Sequence, residues 1–205
     1  SSGGMDSCAS ETFEGQLIPV DLYVLLDRSA SMNDASKWSS VTNALNTFVN
    51  APESDGIGMG LQYFPIPPSG SIPGSCNSDA DCGYYGPCIP GFNVCNGSLA
   101  GNDSCDPADY STAEIDIAEL PGVQPAISQS LSGQSPNGNS TPTQPGFEGA
   151  VAYTTAWASA NPTHLTFIVL ATDGEPTNCT PNSVNGTAAA AAAAVSGRVS
   201  AAFCA

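Results

Sequence analysis

The fold of this chain is decided by residues 17–31, which read LIPVDLYVLLDRSAS. The part from 17 to 27 is almost continuously apolar and rich in branched side chains, a pattern typical of a strand buried on both faces of a parallel sheet. The apolar run ends at Asp27, and Ser29 and Ser31 follow at alternate positions. Because alternate residues of an extended chain point the same way, these three side chains can face one ligand.

Strand-like and helix-like segments alternate along the rest of the chain. An alternation of this kind predicts an α/β fold with a mainly parallel central sheet flanked by helices, as in Rossmann-like proteins. Acidic and aliphatic residues alternate in 113–120, so this segment is expected to be a half-exposed edge strand. The other predicted strands are 17–27, 56–64 and 164–172, and the predicted helices are 37–50, 123–131, 147–160 and 188–195.

The pattern predicts one domain over residues 17–205, preceded by a linker or N-terminal extension at 1–16. A segment rich in Cys, Gly and Pro, residues 65–112, interrupts the α/β pattern and is interpreted as an insertion. Five of the eight cysteines of the chain lie in it. Because there is no CxxC pair and the only histidine is distant, disulfides are favoured over a zinc site or free thiols. Disulfides imply an oxidising compartment, hence a secreted or cell-surface protein.

All eight cysteines are predicted to be oxidised. Residues 198–204 are expected to form a parallel strand beside 165–171, because that apolar strand would otherwise be an open edge. This arrangement predicts a disulfide between Cys179 and Cys204. The five cysteines of the insertion would then pair mainly among themselves, and Cys8 is the partner left for the odd one. The five are Cys76, Cys82, Cys88, Cys95 and Cys105.

The chain is strongly acidic. It carries 19 Asp and Glu residues against 3 basic residues, for a formal net charge of −16. This charge argues against nucleic acid and anionic membrane surfaces as partners. No apolar run is long enough to cross a membrane, so no membrane insertion is expected. A divalent cation is the ion that such a chain is expected to bind.

Two strands end in an acidic residue, which points to the place where a cation would bind. Asp27 is the last residue of the first predicted strand, and Asp173 follows the strand at 164–172. Open α/β sheets bind ligands at the carboxyl ends of their strands. Thr141 lies in a loop that can fold over the same edge. Together with Ser29 and Ser31, these side chains form a set of hard oxygen ligands that suits magnesium, manganese or calcium.

The same residues resemble a known family. DRSAS at 27–31, TPT at 141–143 and ATDGEPT at 171–177 are similar, in order and context, to the three parts of the metal-ion-dependent adhesion site of von Willebrand factor A domains. The resemblance implies a bound divalent cation, magnesium first, with manganese or calcium as alternatives. It implies that Ser29, Ser31 and Thr141 bind the cation directly. Asp27 and Asp173 would act largely through water, or one of them would bind directly, and Thr143 is a weaker candidate for a supporting hydroxyl.

Two functions follow from this resemblance and from the insertion. The first is an extracellular adhesion module that binds a carboxylate of a protein partner through the cation. The alternative is a structural subunit of an extracellular assembly or filament, with self-association, in which the metal is incidental. A hydrolase would need His164, which precedes a strand, and no G-x-S-x-G motif occurs. The chain is therefore not expected to be an enzyme.

Overall fold

A computed structural model describes residues 18–196 and 199–204. In these residues the strands are β1 (Val20–Asp27), β2 (Gly58–Phe64), β3 (Cys88–Ile89), β4 (Val94–Cys95), β5 (Ile115–Glu119), β6 (Leu165–Ala171) and β7 (Val199–Cys204). The helices are α1 (Lys37–Val49), α2 (Gln124–Gly133), α3 (Thr143–Ala160) and α4 (Val184–Ser196). The predicted α/β fold is confirmed.

Five strands form the central sheet in the order β5-β2-β1-β6-β7. All neighbours are parallel except β5, which pairs antiparallel with β2. The position of β5 at one edge of the sheet confirms the edge strand predicted at 113–120. At the other edge β7 runs parallel to β6, from the Thr166–Val199 pair to the Ala171–Cys204 pair. The predicted strand at the end of the chain is therefore confirmed.

Helices cover both faces of the sheet, so β1 contributes to two separate cores. Tyr23 and Leu25 belong to the core under α3 and α4, whereas Val24 and Leu26 belong to the core under α1 and α2. Successive side chains of a strand point to opposite faces. Two buried faces therefore require an apolar residue at nearly every position, which explains the continuous apolar run in the sequence.

Helix α3 begins at Thr143, four residues before the predicted start at 147. Pro145 is the third residue of the helix. The first turn of a helix has no partners for its N–H groups, so the missing N–H of proline costs nothing there. The extra turn places Thr141 and Thr143 immediately at the helix start.

The cysteine-rich insertion (residues 65–112) lies between β2 and β5 and consists mainly of short 3₁₀ turns and the β3–β4 hairpin. Two disulfides lie within it, Cys76–Cys88 and Cys82–Cys95, as predicted. The sulfurs of Cys76, Cys82 and Cys88 lie within 4.8 Å of one another, but all three are consumed by these disulfides.

The predicted Cys179–Cys204 disulfide is wrong, because Cys179 is bonded to Cys105. The loop after β6 docks on the insertion instead of crossing to the end of β7. The Thr180 amide donates to the Tyr84 carbonyl at 2.9 Å, which holds the residue after Cys179 against the insertion. Cys8, the predicted outside partner, is not among the described residues. The three disulfides agree with a secreted or surface protein.

Candidate metal centre

The carboxyl end of β1 is a topological switch point of the sheet. Strand β1 lies between β2 and β6. The chain leaves β1 through α1 and continues to β2 on one side, whereas β6 lies on the other side. Leu26 pairs with Ala171, so the residues that follow β1 and β6 emerge side by side. This position is the usual ligand site of an open α/β sheet.

Hydrogen bonds connect the two predicted aspartates through the two serines. The Ser29 amide donates to Asp27 Oδ1 at 2.7 Å, and the hydroxyls of Ser29 and Ser31 lie 3.1 Å apart. The Ser31 hydroxyl donates to Asp173 Oδ1 at 2.8 Å. The structure thus brings four of the five predicted ligand residues into one connected group.

Thr141 reaches the same edge through the loop that precedes α3. The Ala30 amide donates to the Gly138 carbonyl at 2.9 Å, which fixes this loop against the chain that leaves β1. Gly138 approaches Pro65 so closely that a Cβ would lie 2.1 Å from its ring, so the position requires glycine. Thr141 is buried, and within the described residues its hydroxyl makes no hydrogen bond. An unpaired hydroxyl beside this edge fits a ligand role.

Thr143 has a different role from the five predicted ligands. Its hydroxyl is buried and lies 3.4 Å from the Thr141 carbonyl. This contact joins Thr143 to the loop that carries Thr141.

Thr172 was missed by the sequence analysis. Its hydroxyl donates to Asp27 Oδ2 at 2.6 Å, so both carboxylate oxygens of Asp27 are held by hydrogen bonds. Burial raises the pKa of the Asp27 carboxyl, the hydrogen bonds from Thr172 and Ser29 lower it, and the charge of Asp173 raises it further, with a net increase. Asp27 is fully buried, so its negative charge is costly without a cation.

This cost predicts that replacing Asp27 with asparagine stabilises the cation-free protein. The amide is neutral and keeps an oxygen that can accept the Ser29 amide. We expect Asp27→Asn to unfold at a higher temperature than the wild type in EDTA, and to lose the stabilisation that the wild type gains from added magnesium. Thermal unfolding followed by circular dichroism measures both. A lower unfolding temperature in EDTA would contradict the expectation.

Lys37 is the second feature that the sequence analysis missed. Lys37 is the first residue of α1, and its ammonium lies 2.5 Å from Asp173 Oδ2. The hydrogen bond to Asp173 raises the pKa of Lys37, so the side chain is a cation at neutral pH. It is the only lysine among 19 acidic residues, a signal that could have marked it as a partner for one of them. A positive charge therefore lies beside the candidate cation site.

We expect Lys37→Gln to increase the affinity for divalent cations a few-fold, because it removes a like charge from the edge of the site. The gain is expected to shrink as the salt concentration rises, since the ammonium is exposed and screened. Isothermal calorimetry with Mn²⁺ at low and high NaCl measures both effects. A weaker affinity in the variant would show that Lys37 supports the site.

Two cavities lie at opposite ends of the sheet. One of about 380 Å³ opens beside Asp173, and its lining includes the apolar residues Met32, Val41 and Ala171. A larger one of about 550 Å³ lies at the amino end of β1, where His164 Nδ1 and Trp157 Nε1 both lie within 2.9 Å of Asp21 Oδ2. His164 therefore lies at the opposite end of β1 from Ser29.

The comparisons with known proteins show a similar fold but do not identify a family. No protein-family model and no curated protein sequence matches the chain. Among solved structures, the pilus adhesin SpaC from Lactobacillus rhamnosus GG is similar at 22% identity with a TM-score of 0.49. The match covers 80% of this chain and 16% of the adhesin chain. Proximal thread matrix protein 1 from the mussel byssus matches 91% of this chain and 37% of its own at 14% identity, with a TM-score of 0.52.

This chain thus spans well under two thirds of either structure, and the likeness to the mussel protein concerns the fold alone. In the part of this chain that the structure describes, no helix is both long and apolar enough to cross a membrane.

Proposed function

We propose that this chain is a von Willebrand factor A-like module of an extracellular protein that binds a carboxylate of a protein partner through a divalent cation, magnesium first. The observation that carries the proposal is the connected group Asp27–Ser29–Ser31–Asp173 at the carboxyl end of β1 and β6. The unpaired Thr141 hydroxyl beside this edge adds a further oxygen ligand. The proposal involves no catalysis.

The donor set fits this function chemically. Ser29, Ser31 and Thr141 would hold the cation with neutral oxygens, and Asp27 and Asp173 would balance its charge from a greater distance. Neutral hydroxyls neutralise little of the charge of a hard cation, which therefore still attracts an anionic oxygen. A carboxylate of a partner protein supplies that oxygen.

Manganese titration tests the cation and the carboxylate separately. Mn²⁺ bound to the purified chain is expected to enhance water-proton relaxation, and Mg²⁺ is expected to displace it. A peptide with one aspartate is then expected to lower this relaxation enhancement by replacing a manganese-bound water. The same peptide with asparagine is the matched control. No Mn²⁺ binding by the folded chain would overturn the proposal, and equal effects of the two peptides would overturn its carboxylate part.

A structural subunit is the second candidate, favoured by the edge strand β7. Its sequence, VSAAFC, carries no charge, and within the described residues β6 is its only strand neighbour. Uncharged edge strands pair readily with other strands. Analytical ultracentrifugation of the wild type and Ser29→Ala separates the two candidates. If Ser29→Ala loses cation and peptide binding in the manganese titration but assembles like the wild type, adhesion is favoured. If the wild type assembles without cation and binds no peptide, the structural subunit is favoured.

A further inference from the structure

The cysteine-rich insertion contacts the loop that carries Thr141 through one buried carboxylate. Asp103 is only 7% exposed. Its Oδ2 accepts hydrogen bonds from the Asn139 amide at 2.7 Å, the Ser140 amide at 2.7 Å and the Ser140 hydroxyl at 2.9 Å. Three donors on one carboxylate oxygen fix the backbone immediately before Thr141.

Two residues further on, the insertion is covalently bonded to the loop that follows Asp173. Cys105 forms a disulfide with Cys179. Next to it, the Thr180 hydroxyl donates to the Gly86 carbonyl at 2.6 Å, and the Thr180 amide donates to the insertion as well. This loop is therefore held at its far end by the insertion and at its near end by β6.

The two loops are also bonded to each other. The Thr141 amide donates to the Thr177 hydroxyl at 2.8 Å, and the Thr177 amide donates back to the Thr141 carbonyl at 3.1 Å. The Asn182 side chain donates to the same carbonyl at 3.0 Å. Thr141 and the loop after Asp173 thus form one unit, whereas Ser29 and Ser31 follow directly from β1.

We propose that Asp103 and the Cys105–Cys179 disulfide are positioning elements of the cation site. Through them the insertion holds Thr141 and Asp173 in the binding arrangement, and so determines cation affinity. This inference rests on the function proposed above. A loop that is already ordered loses less conformational entropy when the cation binds, and supporting contacts around metal ligands change affinity by about 10- to 100-fold.

The test compares two variants of these contacts with two matched controls. The variants are Asp103→Asn and the double substitution Cys105→Ala/Cys179→Ala. Asp81 is the control carboxylate, because it also accepts two backbone amides, from Asn77 and Ser78, but only within the insertion. Asp81→Asn removes the same formal charge as Asp103→Asn. Cys76→Ala/Cys88→Ala is the control disulfide, which links the insertion only to itself.

Mn²⁺ affinity and amide hydrogen exchange are measured on all of these proteins. We expect affinity to fall by about 10- to 100-fold in both variants and to change by less than about threefold in both controls. The Ser140 amide donates to Asp103 and the Thr177 amide donates to the Thr141 carbonyl, and both are expected to exchange faster in the variants than in the controls, even without cation.

The outcomes separate this inference from the proposed function. Wild-type binding with unchanged affinity in both variants would overturn the inference alone. Equal losses in variants and controls would also overturn it, because the insertion would then act only through overall stability. A wild type that binds no cation would overturn both the proposed function and the effect on affinity, and the exchange rates would still decide whether Asp103 and the disulfide position the loops.

Discussion

A chain in which alanine replaces both Ser29 and Ser31 is expected to bind Mn²⁺ at least about 100-fold more weakly than the wild type. The two hydroxyls lie 3.1 Å apart between the aspartates, so the substitution removes two proposed ligands and the link from Asp27 to Asp173. Contacts that only support ligands already contribute about 10- to 100-fold to metal affinity, so the loss of direct ligands is expected to exceed that range. Manganese relaxation titration measures the affinity.

The control for this double variant is Ser39→Ala. Its hydroxyl is exposed on α1 and donates to the Ser36 carbonyl at 2.9 Å, away from the aspartates. We expect its affinity to equal that of the wild type. Wild-type affinity in the double variant, with its fold intact by circular dichroism, would show that the cation binds elsewhere.

The second large effect is expected from Gly149→Ala in α3. A Cβ at this position would lie 2.4 Å from Tyr110 Cβ and 2.6 Å from the Pro107 carbonyl oxygen. Both neighbours belong to a turn at the end of the insertion, and Tyr110 is fully buried, so the turn must move away from the helix. We expect the free energy of unfolding to fall by roughly 2–3 kcal/mol, measured by urea denaturation.

Gly133→Ala in α2 is the matched control. A Cβ there meets no atom within 4 Å. Alanine favours helix over glycine by up to about 1 kcal/mol, so this variant is expected to be as stable as the wild type or more stable. A Gly149→Ala variant as stable as Gly133→Ala would mean that α3 and the turn are less closely packed than the structure indicates.

The strands and the first part of the site were predictable because their signals are local. The apolar run before Asp27 reflects a strand with two buried faces, and the spacing of Ser29 and Ser31 is a property of consecutive residues. Asp173 was predictable for the same reason, since it follows the predicted strand at 164–172 directly and lies two residues beyond the end of β6. Parallel strands then bring these residues together without any further information.

The contacts of the insertion were not predictable, because they depend on the path of loops in three dimensions. Cys204, at the end of β7, was the predicted partner of Cys179. Cys179 is bonded to Cys105 instead, because the adjacent Thr180 docks on the insertion. Asp103 has no distinguishing sequence pattern, and its importance appears only when the loop at 139–140 folds over it. Lys37 was overlooked because its partner is 136 residues away.

The Cys105–Cys179 bond also has a mechanical consequence. It closes a covalent loop over a separation of 74 residues, a stretch that contains both Thr141 and Asp173. An extended chain spans at most about 3.4 Å per residue, so roughly 250 Å of contour length cannot be drawn out by tension applied outside the loop. Under load, the disulfide carries the tension past the backbone that holds these two residues, and the elements that can still be extended on the N-terminal side of Cys105 are β1, α1, β2 and most of the insertion.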